Sequence, residues 1–328
     1  MKKDIFGKRD YYKPFAYDFA YQAYKRQNEI HWIPEEVSLA EDVKDWNSKL
    51  SKEEKNLLAQ IFRFFTQADI DIAKAYNDIY IPSFKHPELR MMLDTFAAME
   101  AIHIDAYSLL IETVGMPENT YKAFHEYEAM QAKHDYFEEQ EKDYKTQAEQ
   151  MLIDIAKYSA FGEGLQLFAS FAILLSFSRF GKMKGMGQIV TFSIRDESLH
   201  VEAMIHTFRQ IVKENKEIWT DELKADIYQI ARDMVELEDK FIDLAFAQGG
   251  IEGLTAEETK EYIRYIADRR LLQLGLKANF KVKDNPLPWL AEMLSSTEHT
   301  NFFENRVTTY SKGALVGDFE KEVWGKYK

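Results

Sequence analysis

Two four-residue stretches constrain this chain more than any other feature: Glu100-Ala101-Ile102-His103 and Glu197-Ser198-Leu199-His200. On a helix, a carboxylate and an imidazole three positions apart lie about 60° apart in azimuth and roughly 5 Å apart along the axis, so both can point at one object. Each pair is preceded by a carboxylate at a similar distance, Asp69 lying 31 residues before Glu100 and Glu163 lying 34 before Glu197. One Glu-x-x-His is an ordinary surface pair. The doubled pattern predicts an all-α fold whose core is a four-helix bundle, with Asp69, Glu100, His103, Glu163, Glu197 and His200 facing inward on a buried dinuclear metal site. Four carboxylates balance two divalent ions, and neutral imidazoles complete a set with no net charge to desolvate. Such donors suit iron or manganese; a structural zinc takes fewer ligands and commonly thiolates.

Composition narrows the rest. With 14 Gly and 7 Pro in 328 residues there is little material for β-turns, and 46% apolar with 14% aromatic residues supplies a large core. No cysteine is present, which excludes disulfides, thiolate sites and cysteine nucleophiles. Net charge is −13 with no Lys/Arg block, so nucleic acid and anionic membrane have no electrostatic footprint here. The longest uncharged run, Gly164 to Ser178, has 15 residues, short of the ~18 that suggest a membrane span. Residues Met1 to Ile5 and those after them lack an apolar h-region, so a cytoplasmic protein is the default expectation.

Along the chain, a short helix is expected around Tyr17–Gln27, followed by an extended segment at His31–Val37, where Pro34 disfavours helix at Ile33. Ser51 and Glu54 form a capping box. The helix it opens should run to about Tyr80, with Leu57, Leu58, Ile61, Phe64, Phe65 and Ala68 as its apolar stripe and Asp69 directly after it. Pro87 fits the first turn of a helix ending at Gly115. Further helices are expected over Glu118–Lys133, Gln147–Phe180, Asp221–Gln248 and Ala256–Leu274, with solvated surface at Asp135–Asp143 and a loop at Gly181–Gly187. Gly162 and Gly164 flank Glu163, where glycine permits backbone distortion. No linker divides residues 1–304, and residues 305–328 read as a flexible tail.

The chain resembles the small, radical-generating subunit of class I ribonucleotide reductase. The resemblance is carried by Trp32-Ile33-Pro34-Glu35-Glu36-Val37, Phe64 to Asp69, Glu100 to His103 with Tyr107, Arg195 to His200, and Phe302-Phe303-Glu304 to Tyr310. It implies a ferritin-like bundle with Asp69, Glu100 and His103 on one ion and Glu163, Glu197 and His200 on the other. Tyr107 takes the position of the stable tyrosyl radical. Trp32 and Asp196, with His103, match the conduit for electron and proton, and Tyr310 matches the tail tyrosine that passes the hole to the large subunit, where ribonucleotides are reduced. A homodimer is implied, and this chain would not bind nucleotide substrate itself.

The ligand set is compatible with two iron ions, two manganese ions or a mixed manganese–iron pair. Asp71 and Lys74 depart from the family pattern, and a lysine there would suit guidance of an anionic oxidant such as superoxide, with or without a flavoprotein activator; this tilts the reading towards manganese. The tail ends in Trp324, Lys326, Tyr327 and Lys328 rather than an acidic stretch. Two rivals share parts of the pattern: a ligand-binding oxidase of the same superfamily and a ferritin-like iron store.

Overall fold

In the computed structural model the described residues are 4–139, 142–247 and 249–294. Phe302, Phe303, Glu304 and Tyr310, and with them the expected boundary at 304/305, lie outside the described residues. The chain falls into two units, Met1–Pro286 and Leu287–Lys328. Of the second, a helical stretch over 288–294 is described.

Among the described residues there is no strand. The helices run α1 (Asp18–Glu29), α2 (Ala40–Ser48), α3 (Lys52–Lys74), α4 (Ile81–Ser83), α5 (Pro87–Thr113), α6 (Glu128–Glu138), α7 (Gln147–Asp154), α8 (Phe168–Arg179), α9 (Lys184–Glu214), α10 (Asp221–Phe246) and α11 (Ala256–Gln273). Capping boxes at Ser51, Thr146 and Thr255 open α3, α7 and α11. The apolar stripe of α3 is buried as expected, and Asp69 continues it into the core. Helix α8 is buried on every side from Phe168 to Phe177. Four elements enclose the core of the first unit: α3 packs on α5, α9 packs on the Ile155–Gln166 segment, and these pairs meet through α5 with α9 and α3 with Ile155–Gln166. Helix α1 covers α5 and α9, while α10 and α11 cover Ile155–Gln166 from the other side.

The departures from expectation are local. The helix from Ser51 keeps α geometry only to Lys74; Ala75–Tyr80 is π-helical before α4. The expected helix Gln147–Phe180 is interrupted by a π-helical segment, Ile155–Gln166, which contains both glycines and Glu163. In place of Glu118–Lys133 come two 3-10 turns, Glu118–Tyr121 and Ala123–Glu126, and then α6. Helix α6 begins later because its buried stripe is Met130, Lys133 and Phe137, at helical spacing, and nothing upstream extends that face. By length and apolarity Gln147–Arg179 could cross a membrane, but its apolar window is entirely buried in the body.

Helix α9 begins inside the expected loop and is capped by a neighbour. Met183 is left-handed, at φ 51° and ψ 51°. The fully buried Asp42 carboxylate of α2 accepts hydrogen bonds from the Gly185 and Met186 amides at 2.9 and 2.8 Å, and Asp45 accepts from the Met183 amide at 2.8 Å. Only glycine fits at 185, since a Cβ there would stand 2.5 Å from the Ser38 carbonyl oxygen. Asp42→Ala would leave two buried amides unpartnered at the end of the helix that carries Glu197 and His200. It should lower unfolding stability by about 2 kcal/mol with an unchanged denaturant slope, as read from urea unfolding by circular dichroism.

Candidate metal centre

The six residues singled out by spacing converge from four elements: Asp69 on α3, Glu100 and His103 on α5, Glu163 on the π-helical segment, and Glu197 and His200 on α9. None is more than 2% exposed. His103 Nδ1 lies 3.4 Å from Glu100 Oε2 and 3.2 Å from Glu197 Oε1. His200 Nδ1 lies 3.1 Å from Glu100 Oε1, 3.5 Å from Glu163 Oε1 and 3.7 Å from Glu197 Oε2. Glu100 and Glu197 thus each face both imidazoles. One donor atom from each of Glu100, Glu163, Glu197 and His200 fits within 4.8 Å of the others. Asp69 joins the group through space, its carboxyl acted on by His103, Glu100 and Glu197.

A cation fits this donor set on the evidence of its own polar atoms. Asp69 Oδ2, Glu100 Oε1, Glu163 Oε2, Glu197 Oε2 and both ring nitrogens of His200 are buried without a hydrogen-bond partner, the close His200 contacts being out of line for one. Each such orphan costs about 1–3 kcal/mol in a dry core, a penalty that coordination removes. Backbone distortion helps aim them. The π-helical turns around Glu163 are the kind found where a helix is re-registered for function. Gly164 permits a close approach: a Cβ would meet Arg270 Nε at 2.7 Å, and that nitrogen donates to the Gly164 carbonyl at 2.9 Å.

Electrostatics divides the site. Burial disfavours charge on His103, but the Glu100 carboxylate, with bonds to Asp196, Glu100 and Glu197, outweighs it and holds the imidazole well above its ordinary value. His200 is raised likewise, against burial, by Glu100, Glu163 and Glu197. Glu100 is pushed down to about 2, because the two imidazoles overcome its burial. Burial pushes Glu163 up to about 7 and Asp69 well above the carboxylate range. Burial thus favours the proton on Asp69 and Glu163, while the Glu100 carboxylate keeps its charge beside the two imidazoles.

Around the six, Asp196 Oδ2 lies 3.3 Å from His103 Nε2 and accepts from Trp32 Nε1 at 2.7 Å. Its other oxygen accepts from Gln27 Nε2 at 3.0 Å and lies 3.7 Å from Arg195 Nε. Trp32, Asp196 and His103 are thus joined as a chain. Tyr107 is buried with its ring stacked on Phe65 at 4.2 Å, and its hydroxyl donates to Ser193 Oγ at 3.2 Å. Burial raises its phenol above the usual tyrosine range. Tyr310 lies outside the described residues. Lys74 pairs with Glu138 at 2.6 Å on α6, and Asp71 with His134 at 2.9 Å. Asp71, His134 and Glu138 could gather a cation, but the Lys74 ammonium already neutralises Glu138 there.

Three neighbours escaped the sequence reading: Gln27, Ser193 and Tyr76, whose hydroxyl donates to Glu163 Oε1 at 2.6 Å. Tyr76 follows Asp69 by seven positions, two helical turns, and that spacing was the available signal. Because both imidazoles are held protonated without metal, cation uptake near pH 7 should release protons. Mn²⁺ calorimetry in buffers of different ionisation enthalpy should give apparent enthalpies that fall linearly as that enthalpy increases, with a slope of about −2 or steeper, one unit for each proton released per chain.

Comparison with known proteins gives a consistent answer. Residues 9–286 match the family model described as ribonucleotide reductase, small chain. The probable ribonucleoside-diphosphate reductase small subunit 376L of Invertebrate iridescent virus 6 is 44% identical over 97% of this chain and 98% of its own. The ribonucleoside-diphosphate reductase subunit beta of Chlamydia pneumoniae is 32% identical over 90% of this chain and 88% of its own. Among solved structures, the ribonucleotide reductase R2 subunit from Clostridium botulinum superposes with a TM-score of 0.78 at 24% identity, covering 90% of this chain and 98% of that one. The dimanganese(II)-NrdF of Streptococcus sanguinis gives 0.73 at 20% identity, covering 85% and 96%. Those two identities speak for the ferritin-like fold alone, and neither rival reading, oxidase or iron store, is favoured by the matches. The sequence relatives carry the assignment: this chain belongs to the ribonucleotide reductase small-chain family and is a small subunit of ribonucleoside-diphosphate reductase, an oxidoreductase that works with a large subunit.

Proposed function

We propose that this subunit holds two redox-active metal ions on Asp69, Glu100, His103, Glu163, Glu197 and His200, and delivers an oxidising equivalent to the large subunit for reduction of ribonucleotides to deoxyribonucleotides. The observation that carries the reading is the set of buried donor atoms, drawn from four elements and left without hydrogen-bond partners around one centre. When bound, a pair of manganese or iron ions supplies one-electron oxidising power that no side chain here has alone. Manganese is the reading we favour, on Asp71 and Lys74 of α3, the helix that carries Asp69, with superoxide or a flavoprotein as source of the activating oxidant.

The chain's own residues do the rest. Glu100 and Glu197, each facing both imidazoles, would hold the ions together with the two histidines. Asp196 fixes the His103 ring through Nε2 and accepts the Trp32 indole N–H, so a proton can shift along the Trp32–Asp196–His103 line as an electron moves. Apolar packing around Tyr107 keeps water and reductants from its phenol. We assign Tyr310 as the tail residue that meets the large subunit, with residues 1–304 as the helical body, 305–328 as the tail, and a cytoplasmic homodimer as the working form.

The test uses the full chain, metal-loaded, with its large subunit. Tyr310→Phe keeps nearly all the apolar contact area and removes only the hydroxyl. It should load two metals per chain, bind the large subunit with near-normal affinity, and lose nucleotide reduction. Substantial turnover by this variant would remove Tyr310 from the transfer path. Tyr107→Phe in the same assay locates the stored equivalent: loss of activity with loss of a tyrosyl EPR signal puts it on the phenol, and retained activity puts it on the metals.

A further inference from the structure

Two buried tyrosines flank the cluster and are bonded differently. Tyr107 donates to Ser193, which is not a member of the cluster. Tyr76, fully buried, donates directly to Glu163 Oε1 at 2.6 Å, and its ring meets the His200 ring edge-on at 5.9 Å. It stands at the Glu163–His200 end of the centre, while Trp32 stands at the His103 end, 6.2 Å from that ring. Glu163 Oε2, in contrast, has no partner.

The local backbone is built around this bond. Tyr76 lies in the π-helical stretch Ala75–Tyr80 and Glu163 in the π-helical stretch Ile155–Gln166. The two distorted segments are tied again at Tyr80, whose hydroxyl lies 3.1 Å from Ser159 Oγ and 3.2 Å from the Asp154 carbonyl oxygen. Tyr80 and Phe96 close on the Tyr76 ring edge-on, at 5.5 and 6.1 Å, so the phenol is held before any ion arrives.

We propose that Tyr76 is a positioning residue of the metal centre, holding Glu163 so that Oε2 alone is offered to a metal while Oε1 is retained by the phenol. This rests on the metal-holding function proposed above. An oxygen that accepts a short hydrogen bond is a poorer donor to a cation, and a ligand carboxylate fixed by an outer partner typically binds 10–100-fold more tightly than one left free. The bland account is that a buried phenol has merely found an acceptor; it predicts a cost in stability and no change at the metals.

Full-length wild type, Tyr76→Phe, Tyr80→Phe and Glu163→Ala should be compared by Mn²⁺ calorimetry and by EPR of the Mn²⁺-loaded form, with circular dichroism for helix content. Tyr76→Phe loses one oxygen and keeps its ring. It should keep its helix content, weaken binding of one of the two ions about tenfold, and alter the EPR spectrum of the pair, whereas Tyr80→Phe binds as wild type does. An isotherm and spectrum identical to wild type for Tyr76→Phe, with an ion lost in Glu163→Ala, would overturn this inference and leave the metal-holding function intact. Equal effects from Tyr76→Phe and Tyr80→Phe would also overturn it, since loss of packing would then suffice. Wild type that takes up no ion would overturn the metal-holding function, and this inference with it.

Discussion

Everything in the helical body answers to one constraint: four carboxylates and two imidazoles, none more than 2% exposed, sit in a core whose side chains are mostly apolar. Ionised groups in such a medium must be paired, protonated or coordinated. The chain meets this with two imidazoles, each within reach of two or more carboxylates, so that charge is shared inside the cluster before any ion enters. The same arrangement is what makes the cluster receptive to cations. Donors that hold protons must give them up to a divalent ion, which then satisfies several carboxylates at once.

Helical regularity is spent around that cluster. The two π-helical stretches, Ala75–Tyr80 and Ile155–Gln166, face each other across the Tyr76–Glu163 and Tyr80–Ser159 contacts, and Arg270 from α11 holds the Gly164 carbonyl. A second buried ion pair, Lys133 with Glu238, joins α6 to α10, with the ammonium over the Phe64 ring at 3.7 Å and the Phe241 ring at 4.5 Å. Burial lowers the Lys133 ammonium and pushes Glu238 up to about 7, so the pair is held by geometry rather than by favourable solvation. Phe64 adjoins Phe65, the ring on which Tyr107 stacks, which places this pair behind the wall of the Tyr107 pocket.

The polar line Trp32–Asp196–His103 joins the cluster to α1 and the segment that follows it. Its anchoring explains its local sequence. Asp196 follows Arg195, whose guanidinium reaches both the Asp196 carboxylate and the Ile30 carbonyl, while Gln27 of α1 holds the other Asp196 oxygen. Helix α1 therefore does more than cover α5 and α9. It orients the acceptor that orients a proposed metal ligand.

How much of this was legible beforehand differs by residue. Spacing alone gave the six cluster residues and the helices that carry them, because a three-residue interval on a helix fixes direction whatever surrounds it. Capping chemistry placed the starts of α3 and α5 for the same local reason. The placement of Glu118–Lys133 failed, since propensity there is overridden by where α6 can bury Met130, Lys133 and Phe137. The π-helical register, the Asp42 cap on α9, and the partners Gln27 and Ser193 belong to the tertiary structure alone, and Tyr76 had only its seven-residue spacing from Asp69 as a signal: each depends on a residue 80 or more positions away, or on a backbone distortion only packing can impose. The sequence by itself determined which groups could meet a metal; the fold decided which of their atoms are left free to do so, because hydrogen bonds between distant helices are settled only when those helices pack.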